Sequence, residues 1–266
     1  MRKRYLFFDF DGTLTAGDYG HTYIPESTRL ALKKLEQAGH FTAIATGRAQ
    51  AMARDYMREL GIRNMVSDGG NGLTVDGELL GILPLPHAEI CALLRECDEK
   101  GFPWAVVTDN TKTRFSPDSR LAEADPDPFQ DTVTVPGLDP SGIPEIYKAY
   151  IICTAEEEQT LEAIRYLPRC RFQPTVLFIE PADKAAGIKR MMALFGADCA
   201  DVIVFGDEAN DLSMFLPEWT CVAMGNAVPE LKAAADFVTD DSDRDGIYNA
   251  CLRLGLFDDV DTHAKE

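Results

Sequence analysis

Two carboxylates one residue apart, Asp9 and Asp11, follow directly on the apolar run Tyr5 to Phe8. Side chains at i and i+2 of an extended segment point the same way, so both acids can face one crevice. Gly12 then lets the backbone turn sharply away from the run. Two like charges held together repel unless a cation sits between them, and a hard, oxygen-seeking dication such as Mg²⁺ meets that demand. An ion held by few protein carboxylates takes substrate phosphate as a further ligand, so the pattern points to phosphoryl chemistry at Asp9.

A phosphate ester is attacked in line while its three equatorial oxygens keep their charge, so catalysis is mostly positioning plus neutralisation. In that chemistry Asp9 is the nucleophile and forms an aspartyl-phosphate. Asp11 protonates the leaving alcohol and afterwards takes a proton from the attacking water. Its carboxylate must therefore lie beside the metal and not on it, while its backbone carbonyl stays available as a metal ligand.

The partners must come from elsewhere in the chain. Thr46-Gly47-Arg48 follows the apolar run Phe41 to Ala45, and Gly206-Asp207-Glu208-Ala209-Asn210-Asp211 follows Val202 to Phe205. Each places polar residues at a strand's carboxyl end, the edge where parallel α/β sheets bind ligands. Asp9 and Asp207 are expected to hold Mg²⁺ through their side chains, and Thr46 to offer its hydroxyl to a phosphoryl oxygen. Lys184, at the expected start of a helix, keeps the nucleophile anionic and screens the phosphate.

The elements that must position these groups read as follows. Helices are expected over about 25–38, from 48 to about 60, from Lys184, and from Gly246, each with apolar residues at helical spacing. Asn64 to Ser67, Thr220 to Ala223 and Asp236 to Val238 read as further short strands, and Val75-Asp76-Gly77-Glu78 as a two-residue hairpin turn. The polar stretch Thr15 to Tyr23 suits a flap. From Pro84 to Pro181 the order becomes mixed, with a helix carrying Ile90, Leu93, Leu94 and Cys97, a strand Trp104 to Thr108, and a Pro/Asp-rich loop from Ser116 to Gln130. Strands Thr132 to Val135, Tyr150 to Cys153 and Val176 to Glu180 and a helix Ala155 to Tyr166 complete it. The segment reads as an inserted α+β domain, giving a discontinuous core, 1–82 and 182–266, around an insert, 83–181.

Composition narrows the partners. Among 266 residues, 44 acidic against 26 basic side chains give a net charge of −18, so the overall field repels nucleic acid and anionic membranes. The apolar run behind Arg2-Lys3-Arg4 ends at Asp9, too short for an export signal, and nothing later reaches the roughly 18 apolar residues of a membrane span. Seven scattered cysteines without a C-x-x-C pair suit reduced, buried thiols in a cytoplasm. The four histidines show no zinc or triad spacing, and His21 reads as a loop residue. Asp241, Asp243 and Asp245 imitate a calcium loop, but Leu252 stands where the bidentate glutamate is needed. Trp104 and Phe115 are expected in the insert's core, and Asn71-Gly72 as a plain turn.

Taken together, these residues resemble the haloacid dehalogenase superfamily. Its four motifs occur in family order: Asp9-Phe10-Asp11-Gly12-Thr13, Thr46-Gly47-Arg48, Lys184, and Gly206-Asp207-x-x-Asn210-Asp211. The insert between the second and third motifs is similar to the cap of the Cof-type phosphatases. One departure is that Ala185-Ala186-Gly187 follows Lys184 where the subfamily commonly has glycine at once. The resemblance implies an α/β fold with a Rossmann-like parallel sheet core and an inserted α+β cap domain, Mg²⁺, and hydrolysis of a small phosphorylated metabolite such as a sugar phosphate or phosphorylated cofactor. It also implies that Thr46, Gly47, Lys184 and Asn210 contact substrate or phosphate, and that Asp211 positions the metal shell or Lys184. A phosphosugar mutase and a non-catalytic phosphometabolite-binding regulator stay open beside the phosphatase. The sequence is silent on oligomeric state.

Overall fold

The computed structural model describes residues 2–17, 21–127 and 129–258. The chain runs β1 (Tyr5–Phe8), α1 (Glu26–Gln37), β2 (Phe41–Ala45), α2 (Gln50–Glu59), β3 (Asn64–Ser67), β4 (Gly72–Val75) and β5 (Glu78–Ile82). Next come α3 (His87–Lys100), β6 (Trp104–Val107), β7 (Thr113–Ser116), α4 (Arg120–Ala124), β8 (Asp131–Thr134), β9 (Lys148–Ile152), α5 (Ala155–Glu158), β10 (Arg169–Gln173) and β11 (Val176–Ile179). The last part is α6 (Lys184–Phe195), β12 (Val202–Gly206), β13 (Thr220–Ala223), α7 (Pro229–Ala234), β14 (Phe237–Val238) and α8 (Gly246–Arg253). Two compact units result, one of Met1–Thr46, Asp55–Leu80 and Asp183–Glu266, the other of Gly47–Arg54 and Gly81–Ala182.

The first unit is built on a sheet in the order β14-β13-β12-β1-β2-β3-β4-β5, parallel from β14 to β3. Its central strand is apolar on both faces, with Leu6, Phe7 and Phe8 fully buried, as a sheet covered on both sides requires. Phe7, Ala43, Ala45, Val66 and Val204 pack with Ile188, Met191 and Met192 of α6 in one core cluster. The register sets Phe8 between Phe205 and Ile44. Residues directly beyond Phe8, Phe205 and Ala45 therefore meet at one edge. The β4–β5 turn has positive φ at both Asp76 (51°) and Gly77 (87°), as a two-residue hairpin of the expected kind needs.

The second unit holds a sheet in the order β10-β11-β9-β6-β7-β8. Ile90, Leu93, Leu94 and Cys97 of α3 pack with Trp104, Val106, Ile151 and Leu177. The parallel core and the mixed α+β insert thus have the expected class, but the insert differs in detail from its sequence reading. The expected helix Ala155 to Tyr166 is two short pieces, α5 and a 3₁₀ turn Ala163–Tyr166. Thr160 Oγ1 donates to the Glu157 carbonyl (2.7 Å), a local bond that competes with helix continuation, and the buried Leu161, Ile164 and Leu167 repeat every three residues, the 3₁₀ period. Strand β7 precedes the expected Pro/Asp-rich loop, and α4 interrupts it.

The reason β7 escapes a hydrophobic pattern is that its buried positions are Arg114 and Ser116. The fully buried guanidinium is matched by Asp125 (Nη1 to Oδ2, 2.6 Å), Thr132 Oγ1 (2.7 Å) and the Tyr150 ring (4.9 Å to its centroid). Strand β10, also unforeseen, carries Arg169 and Arg171, both paired with Glu158. Trp104 is buried as expected, its Nε1 donating to Asp98. The flap reading falls partly on residues 18–20, outside the described residues; Ala16 and Tyr23 at its base exchange two backbone bonds of 2.9 Å.

Candidate active site

Four side chains meet where β1 and β12 end. Lys184 Nζ donates to Asp9 Oδ1 (2.5 Å) and to Asp211 Oδ1 (2.6 Å). Asp9, Asp207 and Asp211 each bring a carboxylate oxygen within 4.8 Å of the others. All four residues are buried, Lys184 at 1% exposure and Asp211 at 0%. The Asp9 N–H bonds to the Phe205 carbonyl (2.9 Å), so the parallel ladder itself carries the first strand's last bond to the segment that holds Asp207.

Each side chain has a local reason for its place. Gly12 takes φ 76°, and a side chain there would collide with the Asp207 carboxylate. Thr13 Oγ1 donates to Asp207 Oδ1 (2.8 Å). Asp211 folds back so that its Oδ2 accepts from the N–H groups of Asp207 (2.9 Å) and Glu208 (3.1 Å), which needs Gly206 bare of a side chain. Lys184 opens α6, whose preceding Asp183 caps it by accepting from the Ala186 N–H (2.9 Å). The missing glycine after Lys184 is thus no obstacle to its placement; Gly187, one turn on, packs against Val66 and Gly70 where a side chain would collide.

The electrostatics ask for more positive charge than the protein supplies. Burial, then the neighbouring Asp211 carboxylate, raises the Asp9 pKa well above the ordinary range against the pull of Lys184. Burial likewise pushes Asp207 up to about 7; the Thr13 hydrogen bond opposes this, and Asp211 and Glu208 add to it. Burial alone would lower the Lys184 pKa, but Asp9 and Asp211 outweigh it and raise the pKa, so the ammonium is charged. Three acids therefore face one ammonium, and the upward shifts of Asp9 and Asp207 mark the missing positive charge that a dication would supply. The donor set, all hard oxygens, fits a divalent ion of that kind. Asp211 takes three donors, the Lys184 ammonium on Oδ1 and two backbone N–H groups on Oδ2, whereas Asp207 takes one neutral donor on each oxygen, at 2.8 and 3.3 Å, so Asp9 and Asp207 are the pair better able to hold it.

The other expected site residues fall as follows. Asp11 is half-buried in the turn Phe10–Leu14, and its carboxylate lies outside the three-carboxylate group. Thr46 directly follows β2, 2% exposed, its N–H on the Val66 carbonyl (2.9 Å) and its carbonyl accepting from Gly69 (3.2 Å). Gly47 and Arg48 form the bend before α2. Asn210 is exposed in the turn after β12, where its carbonyl accepts from Ser213 Oγ (2.9 Å).

Sequence reading passed over two contributors. Thr13 stood inside the first motif without a role. Asn226 stands beyond β13 and donates to the Gly12 carbonyl (2.9 Å) and to Asp207 Oδ2 (3.3 Å). Met224-Gly225-Asn226 follows the apolar end of Thr220–Ala223, so the rule that found Thr46 and Asp207 points here as well.

Comparison with known proteins gives the chain its family. A family profile described as haloacid dehalogenase-like hydrolase matches residues 6–251. The Bacillus subtilis (strain 168) protein named "Putative phosphatase YkrA" is 35% identical over 259 residues, 96% of this chain and 99% of its own. A crystal structure of a hypothetical protein from Geobacillus kaustophilus HTA426 superposes with a TM-score of 0.83 at 32% identity, covering 96% of this chain and all of that one. The structure of BT4131, described as a sugar phosphatase of subclass IIB of the same superfamily, superposes at 0.76 with 30% identity over the same shares. The chain belongs to the haloacid dehalogenase-like hydrolase family.

Proposed function

We propose that this phosphatase hydrolyses a small phosphorylated metabolite, a sugar phosphate or phosphorylated cofactor, with Mg²⁺ as its metal and Asp9 as its nucleophile. The observation that carries the reading is the pairing of Lys184 with both Asp9 and Asp211 beside Asp207. A buried lysine on the first acid keeps one carboxylate oxygen oriented and favours the ionised form that a nucleophile requires, against the burial that opposes it. Asp9 and Asp207 would hold the Mg²⁺, which supplies positive charge against the phosphoryl oxygens.

The first step forms a bond from a carboxylate oxygen of Asp9 to phosphorus as the ester P–O bond breaks, and Asp11 gives its proton to the departing alkoxide. Water then attacks the same phosphorus, Asp11 recovers a proton from it, and inorganic phosphate leaves with Asp9 restored. Lys184 stays charged throughout and screens the transferred group. The Thr46 hydroxyl and the Asn210 amide are the proposed donors to phosphoryl oxygens or substrate, Gly47 leaves room for the phosphate, and Asp211 keeps Lys184 in place. The insert, residues 83–181, is the proposed source of substrate selection. The likeness to a sugar phosphatase supports the substrate class.

A panel of phosphomonoesters assayed for phosphate release, with Mg²⁺ and with chelator, tests the reading. Release is expected only with the metal, and the Asp9→Asn chain is expected to lose at least about 10³-fold in kcat while keeping its fold. Full turnover by that variant would exclude the aspartyl-phosphate.

A further inference from the structure

Asn226 is exposed, yet its amide is committed on both ends. Its Oδ1 accepts from the Ser242 N–H (2.9 Å), which turns its NH₂ group toward Gly12 and Asp207. Nδ2 then donates to the Gly12 carbonyl (2.9 Å), 214 residues away in the chain, and to Asp207 Oδ2 (3.3 Å). Burial gives no reason for such a residue, since solvent would satisfy an exposed amide equally well.

The turn that carries it is built for the purpose. Gly225 N–H bonds to the Asp240 carbonyl (2.9 Å), and a side chain at this position would collide with Asp241. The Ala227 N–H closes the turn on Met224 (3.0 Å), and the Val228 N–H donates to the Asp207 carbonyl (2.8 Å). One short turn thus holds Asp207 by its backbone and by its side chain.

What the side chain does follows from its chemistry. An amide adds no positive charge, so unlike Lys184 it cannot relieve the excess of carboxylates; it can only orient them. With Thr13 on Oδ1 and Asn226 on Oδ2, the Asp207 carboxylate is fixed in rotation from both oxygens. At Gly12 the N–H is turned to Thr15 Oγ1 (3.4 Å) and the carbonyl to Asn226, so both peptide planes of this glycine are tied. Because the peptide is planar, the Gly12 N–H also sets the direction of the Asp11 carbonyl, the expected backbone ligand.

The structure assigns Asn226 as a positioning residue for the divalent cation, setting the spacing between the Asp9–Asp11 segment and Asp207. The assignment rests on the metal reading given above. Groups that orient metal ligands typically contribute 10–100-fold in metal affinity.

The test is calorimetric titration of the chelator-treated full chain with Mg²⁺, for wild type, Asn226→Ala and Asn226→Gln. Thermal melts select a temperature at which each is folded. The glutamine keeps a carboxamide on the exposed position but moves its donor by one methylene, so a variant that folds is at hand even if the alanine chain does not. The Mg²⁺ Kd is expected to rise about tenfold or more in both. The Mg²⁺ concentration giving half-maximal phosphate release is expected to rise by the same factor, with the KM for the phosphomonoester unchanged. A Kd within twofold of wild type in either folded variant would overturn the assignment. Wild-type chain that binds Mg²⁺ but releases phosphate from no monoester would overturn the phosphatase reading instead, and leave Asn226 to be judged by the titration alone.

Discussion

Lys184 and Asp9, 175 residues apart in the chain, meet at 2.5 Å in a buried site that also holds Asp207 and Asp211. The Lys184 ammonium pairs with two of the three acids, Asp9 and Asp211. Replacing it leaves buried negative charge without compensation. Lys184→Met is therefore expected to cost about 3–5 kcal/mol in urea unfolding with chelator present. Adding Asp211→Asn should recover part of that loss, because one of the stranded charges goes with it. Losses that simply add would show that the two residues do not share charge.

Gly70 has φ 112°, and a side chain there would collide with the Asp183 carbonyl directly before Lys184. Arg190 donates to the Gly70 and Asn71 carbonyls, and Asp183 N–H bonds to Gly69 (2.9 Å), so this loop is clamped to the start of α6. Gly70→Ala is expected to cost roughly 3 kcal/mol or more, combining backbone strain with the collision, and to lower turnover through Lys184. Gly77→Ala, also at positive φ but with open space around it, is expected to cost only about 1–2 kcal/mol and to leave turnover unchanged. Equal costs in denaturant titrations would show that the loop is not braced against the helix.

How much of this was legible in the sequence depends on the element. The parallel strands carry unbroken apolar runs, and the acids directly after Phe8 and Phe205 announce the edge at which they meet. Lys184 was legible only through its context, since a lone lysine at a helix start is ordinary. What periodicity could not give was β7, where a buried arginine inverts the pattern, and the break between α5 and the 3₁₀ turn, where the Thr160 hydroxyl bonds to the Glu157 carbonyl. Asn226 was hidden for a different reason. Its place just beyond β13 follows the strand-end rule, but its bonds to Gly12, Asp207 and Ser242 join segments that no local pattern pairs.

His40 supplies a pH dependence away from the site. Its Nδ1 accepts from the Arg4 N–H (3.1 Å) and its Nε2 donates to the Leu256 carbonyl (2.9 Å), a neutral tautomer. Burial lowers its pKa below 6.5, against the Leu256 bond and with help from Arg4. The unfolded chain then takes up the proton before the folded one, so stability is lost as pH falls through 6.5 and the loss levels off below the folded pKa. Melting temperatures from pH 7.5 to about 5 are expected to fall less steeply in His40→Gln than in wild type. Parallel profiles would remove His40 as the cause.

The central claim, that Asp9 carries the phosphoryl group during turnover, can be tested at the residue itself. Borohydride reduces an acyl phosphate to the alcohol, which turns an aspartyl-phosphate into homoserine. Chain quenched with borohydride while turning over a phosphomonoester with Mg²⁺ should yield, by peptide mass spectrometry, homoserine at position 9 and none without substrate. Steady phosphate release with aspartate intact at position 9, or with homoserine at another acid, would contradict the account.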